Sequence, residues 1–229
     1  MTGAMVEYAS NGGSAQGYLT TPSTSNGPGV VVIQEWWGLV PHIKDVCDRF
    51  SEQGFTALAP DLFHGKTTTE PDEAGKLMMA LNIEEAARDM SGAVDYLGTS
   101  DHVRGHGVGV VGYCMGGGLA LVLACAKPDE VKAVAPYYGL IPWPDAEPDW
   151  TRLQGQVQGH YAGQDGYFTP ERARALEAQL RDMGKSAEMF VYERADHAFF
   201  NDTRPEVFDE EAAHEAWERT IDFFNMHLG

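Results

Sequence analysis

Short apolar runs alternate along this chain with longer stretches in which apolar residues recur every three or four positions. The first pattern marks buried strands and the second amphipathic helices. Strands are expected over 30–34, 56–59, 107–111, 133–137, 157–161 and 187–192, after a small hairpin formed by 6–9 and 16–19. Helices are expected over 43–53, 73–79, 83–97, 115–126, 170–183 and 210–227. A Gly/Ser/Thr/Pro-rich loop covers 20–29, and a proline-rich loop covers 141–149. Strands that are apolar throughout, separated by helices, imply an α/β fold with a mostly parallel central sheet covered on both faces. The whole chain, 1–229, reads as one domain, with no internal repeat and no long linker.

In such sheets, sites form at the carboxyl ends of the strands. One of those ends carries Gly112-Tyr113-Cys114-Met115-Gly116, between the run 108–111 and the helix that follows. This is a G-x-C-x-G strand–turn–helix elbow, with cysteine where serine is usual. Cys114 is therefore the candidate nucleophile, placed where a helix N-terminus favours a thiolate. A thiol nucleophile needs a base, and the base needs an orienting acceptor. Asp165, just after strand 157–161, and His197, just after strand 187–192, supply them in the order this fold uses, on the same rim. Asp196 is next to the histidine but is expected to point away from it, so Asp165 is preferred. The expected architecture is thus the α/β-hydrolase fold.

Composition narrows the partners. The chain has 34 acidic and 16 basic residues, a formal net charge of −18. That field repels phosphate backbones and anionic lipids, so neither nucleic acid nor membrane is an expected partner. An anionic substrate would need a local cation. No run approaches the roughly 18 apolar residues of a membrane span. Residues 1–10 lack a basic region followed by an apolar stretch, so no signal peptide is expected. Three scattered cysteines, Cys47, Cys114 and Cys125, make no disulfide framework and fit a reducing cytoplasm. The expected partner is a small-molecule ester or lactone, and the expected state a monomer or homodimer.

Two motif matches fail on context. Gly107-Val108-Gly109-Val110-Val111-Gly112 fits G-x-G-x-x-G, but its glycines lie within a strand rather than opening a helix. Gly65-Lys66-Thr67 resembles the end of a phosphate-binding loop, yet Pro60 stands where the upstream glycine is required. His102 and His106 are four apart, but Gly105 and Gly107 interrupt any helix that would align them, and no Cys/His cluster has zinc spacing. No cofactor and no metal are expected.

Several further segments carry a resemblance: Gln34-Glu35-Trp36-Trp37-Gly38, Ala59-Pro60-Asp61-Leu62-Phe63, Gly112-Tyr113-Cys114-Met115-Gly116-Gly117, Tyr137-Tyr138-Gly139 and the Asp165 and His197 loops. With them the chain resembles the dienelactone hydrolases (carboxymethylenebutenolidases) over nearly its full length. The resemblance implies a Cys114–His197–Asp165 triad, an oxyanion held by the backbone N–H groups of Met115 and Trp36, and a Glu35 that contacts the resting thiol and helps control its ionisation. One departure stands out. The family holds the substrate carboxylate with an arginine four residues after the catalytic histidine, and here that residue is Asn201. The family's second arginine has no match near 70–73. Arg88 and Arg204 are the candidate replacements, and a neutral or singly charged ester or lactone fits as well as a dianionic dienelactone.

Trp37, Phe63, Tyr138, Phe199, Phe200, Asn201, Arg88 and Arg204 are the candidate pocket residues. On a regular strand, the adjacent pairs Trp36-Trp37 and Phe199-Phe200 cannot both face inward, so one of each is expected at the site mouth. The expected chemistry is acyl transfer through a thioester. Because a thiolate leaves more readily than an alkoxide, enol lactones, thioesters and aryl esters are favoured over alkyl esters and amides. A broader carboxylesterase or thioesterase with the same triad is the first rival. The second is a non-catalytic protein that uses the thiol for ligand or redox sensing.

Overall fold

Eight strands form one sheet in the order β1-β2-β4-β3-β5-β6-β7-β8. They are β1 (Ala4–Ser10), β2 (Gly13–Thr20), β3 (Gly27–Ile33), β4 (Thr56–Pro60), β5 (Val103–Tyr113), β6 (Val131–Tyr137), β7 (Gln156–Ala162) and β8 (Ala187–Tyr192). The helices are α1 (Pro41–Glu52), α2 (Pro71–Met79), α3 (Ile83–Thr99), α4 (Met115–Ala126), α5 (Pro170–Asp182) and α6 (Glu210–Leu228). This computed structural model describes residues 3–10, 12–143 and 146–229. Part of the expected loop 141–149 lies outside them.

β1 and β2 form an antiparallel hairpin, and β2 runs antiparallel to β4. From β4 to β8 every neighbouring pair is parallel. β3 and β4, at the middle of the sheet, are buried along their whole length, as strands covered on both faces must be. α1 and α6 share one face, where Phe50 of α1 packs 4.6 Å from Trp217 and 6.0 Å from Phe224 of α6, centroid to centroid. α3 and α4 pack against each other on the opposite face, as right-handed crossovers require. The chain is thus an α/β fold with a mostly parallel sheet, in agreement with the sequence pattern.

Local chemistry sets the helix starts. Asn82 caps α3 by accepting from the N–H groups of Glu84 and Glu85 at 3.1 and 3.2 Å, and Asp209 caps α6 through Ala212 N–H at 3.1 Å. Proline opens α1, α2 and α5, where its missing N–H has no cost. Several boundaries differ from expectation, among them β3, which begins at Gly27 inside the expected loop 20–29. β5 begins at Val103 rather than 107, turning at Gly105 and Gly107, whose φ angles of 88° and 89° the hydrophobic pattern does not reveal. α1 begins at Pro41, which brings His42 into its first turn. A 3-10 turn at Trp150–Arg152 was not expected. No helix among the described residues is long and apolar enough to cross a membrane.

Candidate active site

The carboxyl end of β5 turns into α4 at Cys114, whose backbone lies at φ 54° and ψ −118°. A non-glycine residue in that region carries strain of about 1–3 kcal/mol and stays there only if its surroundings fix it. They do. Cys114 N–H donates to the carbonyl of Tyr137 at 3.0 Å, and its carbonyl accepts from Gly117 N–H at 2.9 Å. A Cβ at Gly112 would lie 2.0 Å from the Gly116 carbonyl oxygen, so the turn closes only over glycine. A Cβ on Gly116 would lie 2.5 Å from the carbonyls of both Ile33 and Gln34, and this close approach brings the end of β3 against the start of α4.

Two backbone donors stand near this approach, one at the start of α4 and one just after β3. Met115 N–H heads α4, where no intrahelical acceptor exists, and Trp36 N–H follows the end of β3. Neither donates to a protein acceptor among the described residues.

The loops after β7 and β8 bring the other two candidates to Cys114. His197 Nδ1 donates to Asp165 Oδ2 at 2.6 Å. Asp165 is buried, and its Oδ1 accepts from the N–H groups of Tyr167 and Phe168 at 2.7 and 3.0 Å. Burial works against the charge on each partner, and in each case the pair outweighs it. Asp165 is held below the usual carboxylate range by its bonds to His197 and to the loop amides. Asp165, through its hydrogen bond, and the Cys114 sulfur together raise His197 to about 10. Tyr138, at φ 35°, packs its ring edge-on to His197 with centroids 5.2 Å apart.

Behind the elbow, Glu35 is 1% exposed. The resemblance implied contact with the resting thiol. Here the Oε2 of Glu35 instead accepts from Asn201 Nδ2 at 2.8 Å, and no hydrogen bond joins it to Cys114 among the described residues. An amide partner satisfies a buried carboxylate as a thiol would, and it is the better donor. Asn201 is fixed in turn by Thr203, whose N–H and hydroxyl donate to its Oδ1 at 3.1 and 2.6 Å. The hydroxyls of Tyr113 and Tyr138 are buried without a partner. Burial, and after it the nearby Glu35 charge, pushes Tyr138 well above its ordinary value.

The remaining candidates divide. Trp37 and Arg204 border a cavity of about 460 Å³ beside the site, with Asn201 and His42. Phe63 is buried in the core, on a turn where Asp61 accepts from Phe63 and Gly65 N–H at 3.2 and 2.7 Å. Arg88 is a correction. It borders a different cavity with Ala9, Asp95 and Lys127, and Lys127 lies past the far end of α4, about 18 Å of helix from Cys114.

The Phe199-Phe200 pair is a second correction. Both residues are buried, because this segment is a turn, with Ala198 at φ 68°, and not a strand. Phe199 packs on Tyr138 and Tyr192, and Phe200 on Tyr113 and Trp217. Trp36 and Trp37 are both half-buried, edge to face at 5.0 Å.

The chain is similar to known proteins over nearly its full length. The chain is 36% identical to "Protein usf" of Aquifex pyrophilus and 32% identical to a "Putative carboxymethylenebutenolidase" of Aquifex aeolicus, each match covering 99% of both chains. Among solved structures, a "Putative Dienelactone Hydrolase" from Klebsiella pneumoniae superposes with a TM-score of 0.86 at 26% identity, covering 99% of this chain and 100% of that one. The description "Dienelactone hydrolase family" fits residues 15–228. The chain belongs to the dienelactone hydrolase family, and with it to the carboxylic ester hydrolases.

Proposed function

We propose that the protein cleaves ester or lactone bonds through a thioester on Cys114, with His197 as proton carrier and Asp165 as its orienting partner. The observation that carries this reading is the 2.6 Å His197–Asp165 contact, set beside a cysteine in a strained elbow. His197 holds the proton of Cys114, leaving a thiolate beside an imidazolium that Asp165 stabilises. The thiolate attacks the substrate carbonyl carbon. The N–H groups of Trp36 and Met115 hold the oxygen that becomes negative. As the carbon–oxygen bond breaks, the imidazolium gives its proton to the leaving oxygen and a thioester remains.

The raised proton affinity of His197 then serves the second half of the cycle. Part of that rise comes from the Cys114 sulfur, and acylation removes its charge. The neutral ring is then free to accept a proton from the water that attacks the thioester. Collapse of that second intermediate expels the thiolate and releases the acid. Since a thiolate outcompetes a poor alkoxide as leaving group, the first intermediate goes forward with enol lactones, aryl esters and thioesters.

The test is a panel of an enol lactone, an aryl ester, a thioester and an alkyl ester on the native protein and on Cys114→Ala. Turnover that falls in that order and vanishes in Cys114→Ala, with an acyl adduct on Cys114 seen by mass spectrometry, supports the reading. Turnover that survives the substitution overturns it.

A further inference from the structure

Between α4, α5 and the segment that follows β6 lies a groove of about 300 Å³, bordered by none of Cys114, His197 and Asp165. Ile141, Trp143 and Trp150 line it, with Leu121 of α4 and Leu176 of α5. Ile141 and Trp143 are half-buried, so each presents the rest of its apolar surface to the groove. No cation lies over either indole among the described residues. The volume and the apolar lining are those of a small-molecule site, in which a few polar groups select the ligand.

Two charged side chains border the groove, Arg172 and Glu147. Arg172 is exposed in the first turn of α5. Its Nη1 donates to the Tyr167 carbonyl at 2.8 Å, and its guanidinium lies 5.7 Å from the Phe168 ring. These contacts hold the group in place without neutralising it, because neither partner carries a charge. Among the described residues Arg172 makes no ion pair, and its Nε–Nη2 edge keeps both donors. Glu171 precedes it in the chain but faces elsewhere, since adjacent residues on a helix do not share a face.

Glu147 stands at the other end. Its Oε1 accepts from Trp150 Nε1 at 3.2 Å. Trp150 opens the turn that Lys185, past the end of α5, holds through the carbonyls of Thr151 and Leu153 at 2.8 Å each. From Arg172 to Gln179, which also borders the groove, α5 rises about 10 Å. That is more than the Debye length of about 8 Å at 0.15 M salt. An anion on Arg172 therefore meets a cation in contact and a carboxylate that is screened.

The free Nε–Nη2 edge matches the two oxygens of one carboxylate, and the indole of Trp143 matches a planar ring. We propose that this groove binds an aromatic carboxylate, with the anion on Arg172 and the ring against Trp143. The site is separate from Cys114, and its occupancy does not depend on the hydrolase reading.

The probes are 2-naphthoate and its neutral counterpart 2-naphthamide, titrated by calorimetry at 0.15 M salt. The native protein is expected to bind naphthoate about tenfold more tightly than the amide. Arg172→Gln removes that preference and leaves the amide within about twofold, whereas Arg172→Lys, which keeps the charge without the fork, restores part of it. Trp143→Leu weakens both probes by about tenfold. Native protein alkylated at Cys114 with iodoacetamide binds naphthoate as well as before. The proposal is overturned if naphthoate does not bind, if its preference over the amide survives Arg172→Gln, or if Trp143→Leu leaves both affinities unchanged. Loss of binding on alkylation also overturns it, because the anion would then sit at the elbow.

Discussion

The ring of His197 and the carboxylate of Asp165 meet at 2.6 Å although 32 residues separate them in the chain, and each holds the other in its charged form. Replacing Asp165 by Asn keeps the size of the side chain and removes the charge that stabilises the imidazolium. The Asp165→Asn protein is expected to fold normally and to lose roughly 10³–10⁴-fold in kcat/KM toward an aryl ester. A loss below about tenfold would remove Asp165 from the proposed triad.

The same pair predicts how stability depends on pH. His197 rises from 6.5 to about 10 on folding. Its contribution is therefore complete below pH 6.5 and is lost as pH climbs through 10. Asp165 is shifted downward, so its contribution is present above the ordinary carboxylate range and is lost on acidification below it. Urea unfolding at pH 7 and pH 10 is expected to show a loss on the order of a few kcal/mol in the native protein and a smaller one in His197→Gln. Equal losses in the two proteins would contradict the assignment.

A second histidine predicts the opposite trend. His160 is fully buried between the Tyr192 hydroxyl at 3.0 Å and the Thr220 hydroxyl at 3.0 Å, and burial lowers it to about 3. The unfolded chain therefore takes up a proton between about pH 6.5 and 3 that the folded chain refuses, so stability falls with pH across that window. Between pH 6.5 and 4 this one group is expected to cost roughly 3 kcal/mol. Acid unfolding curves of the native protein and His160→Gln measure it as the difference in their pH slopes.

Asn201 supplies the buried carboxylate of Glu35 with a hydrogen bond. Asn201→Leu leaves that charge without its donor and is expected to destabilise the fold by about 1.5–3 kcal/mol in urea. Adding Glu35→Gln to Asn201→Leu removes the charge, and the double variant is expected to recover most of the loss. No recovery would mean that the Asn201 amide matters for packing alone.

Much of this was legible in the chain. Periodicity located the strands and helices because the central strands β3 and β4 are apolar on both faces, and the glycines around Cys114 mark a turn that only one local geometry satisfies. Asp165 and His197 were legible because loops after parallel strands all open on one rim. The partner of Glu35 was not, since it comes from 166 residues away and a lone asparagine announces nothing. Arg88 misled because its place on a helix does not say which end of the sheet that helix turn overlies. The burial of both Phe199 and Phe200 was not legible because adjacent aromatic residues read as strand, whereas the backbone there turns at Ala198.

The two glycine contacts that hold Cys114 in place also restrict how this protein can change. With carbonyl oxygens 2.0 and 2.5 Å from any added Cβ, the residues around the sulfur have no room to vary. New selectivity must come from the rim, where Trp37 and Arg204 stand on separate loops. The molecule is therefore built like a tool with a fixed blade and a replaceable guide, and mutagenesis aimed at other esters should start at the guide.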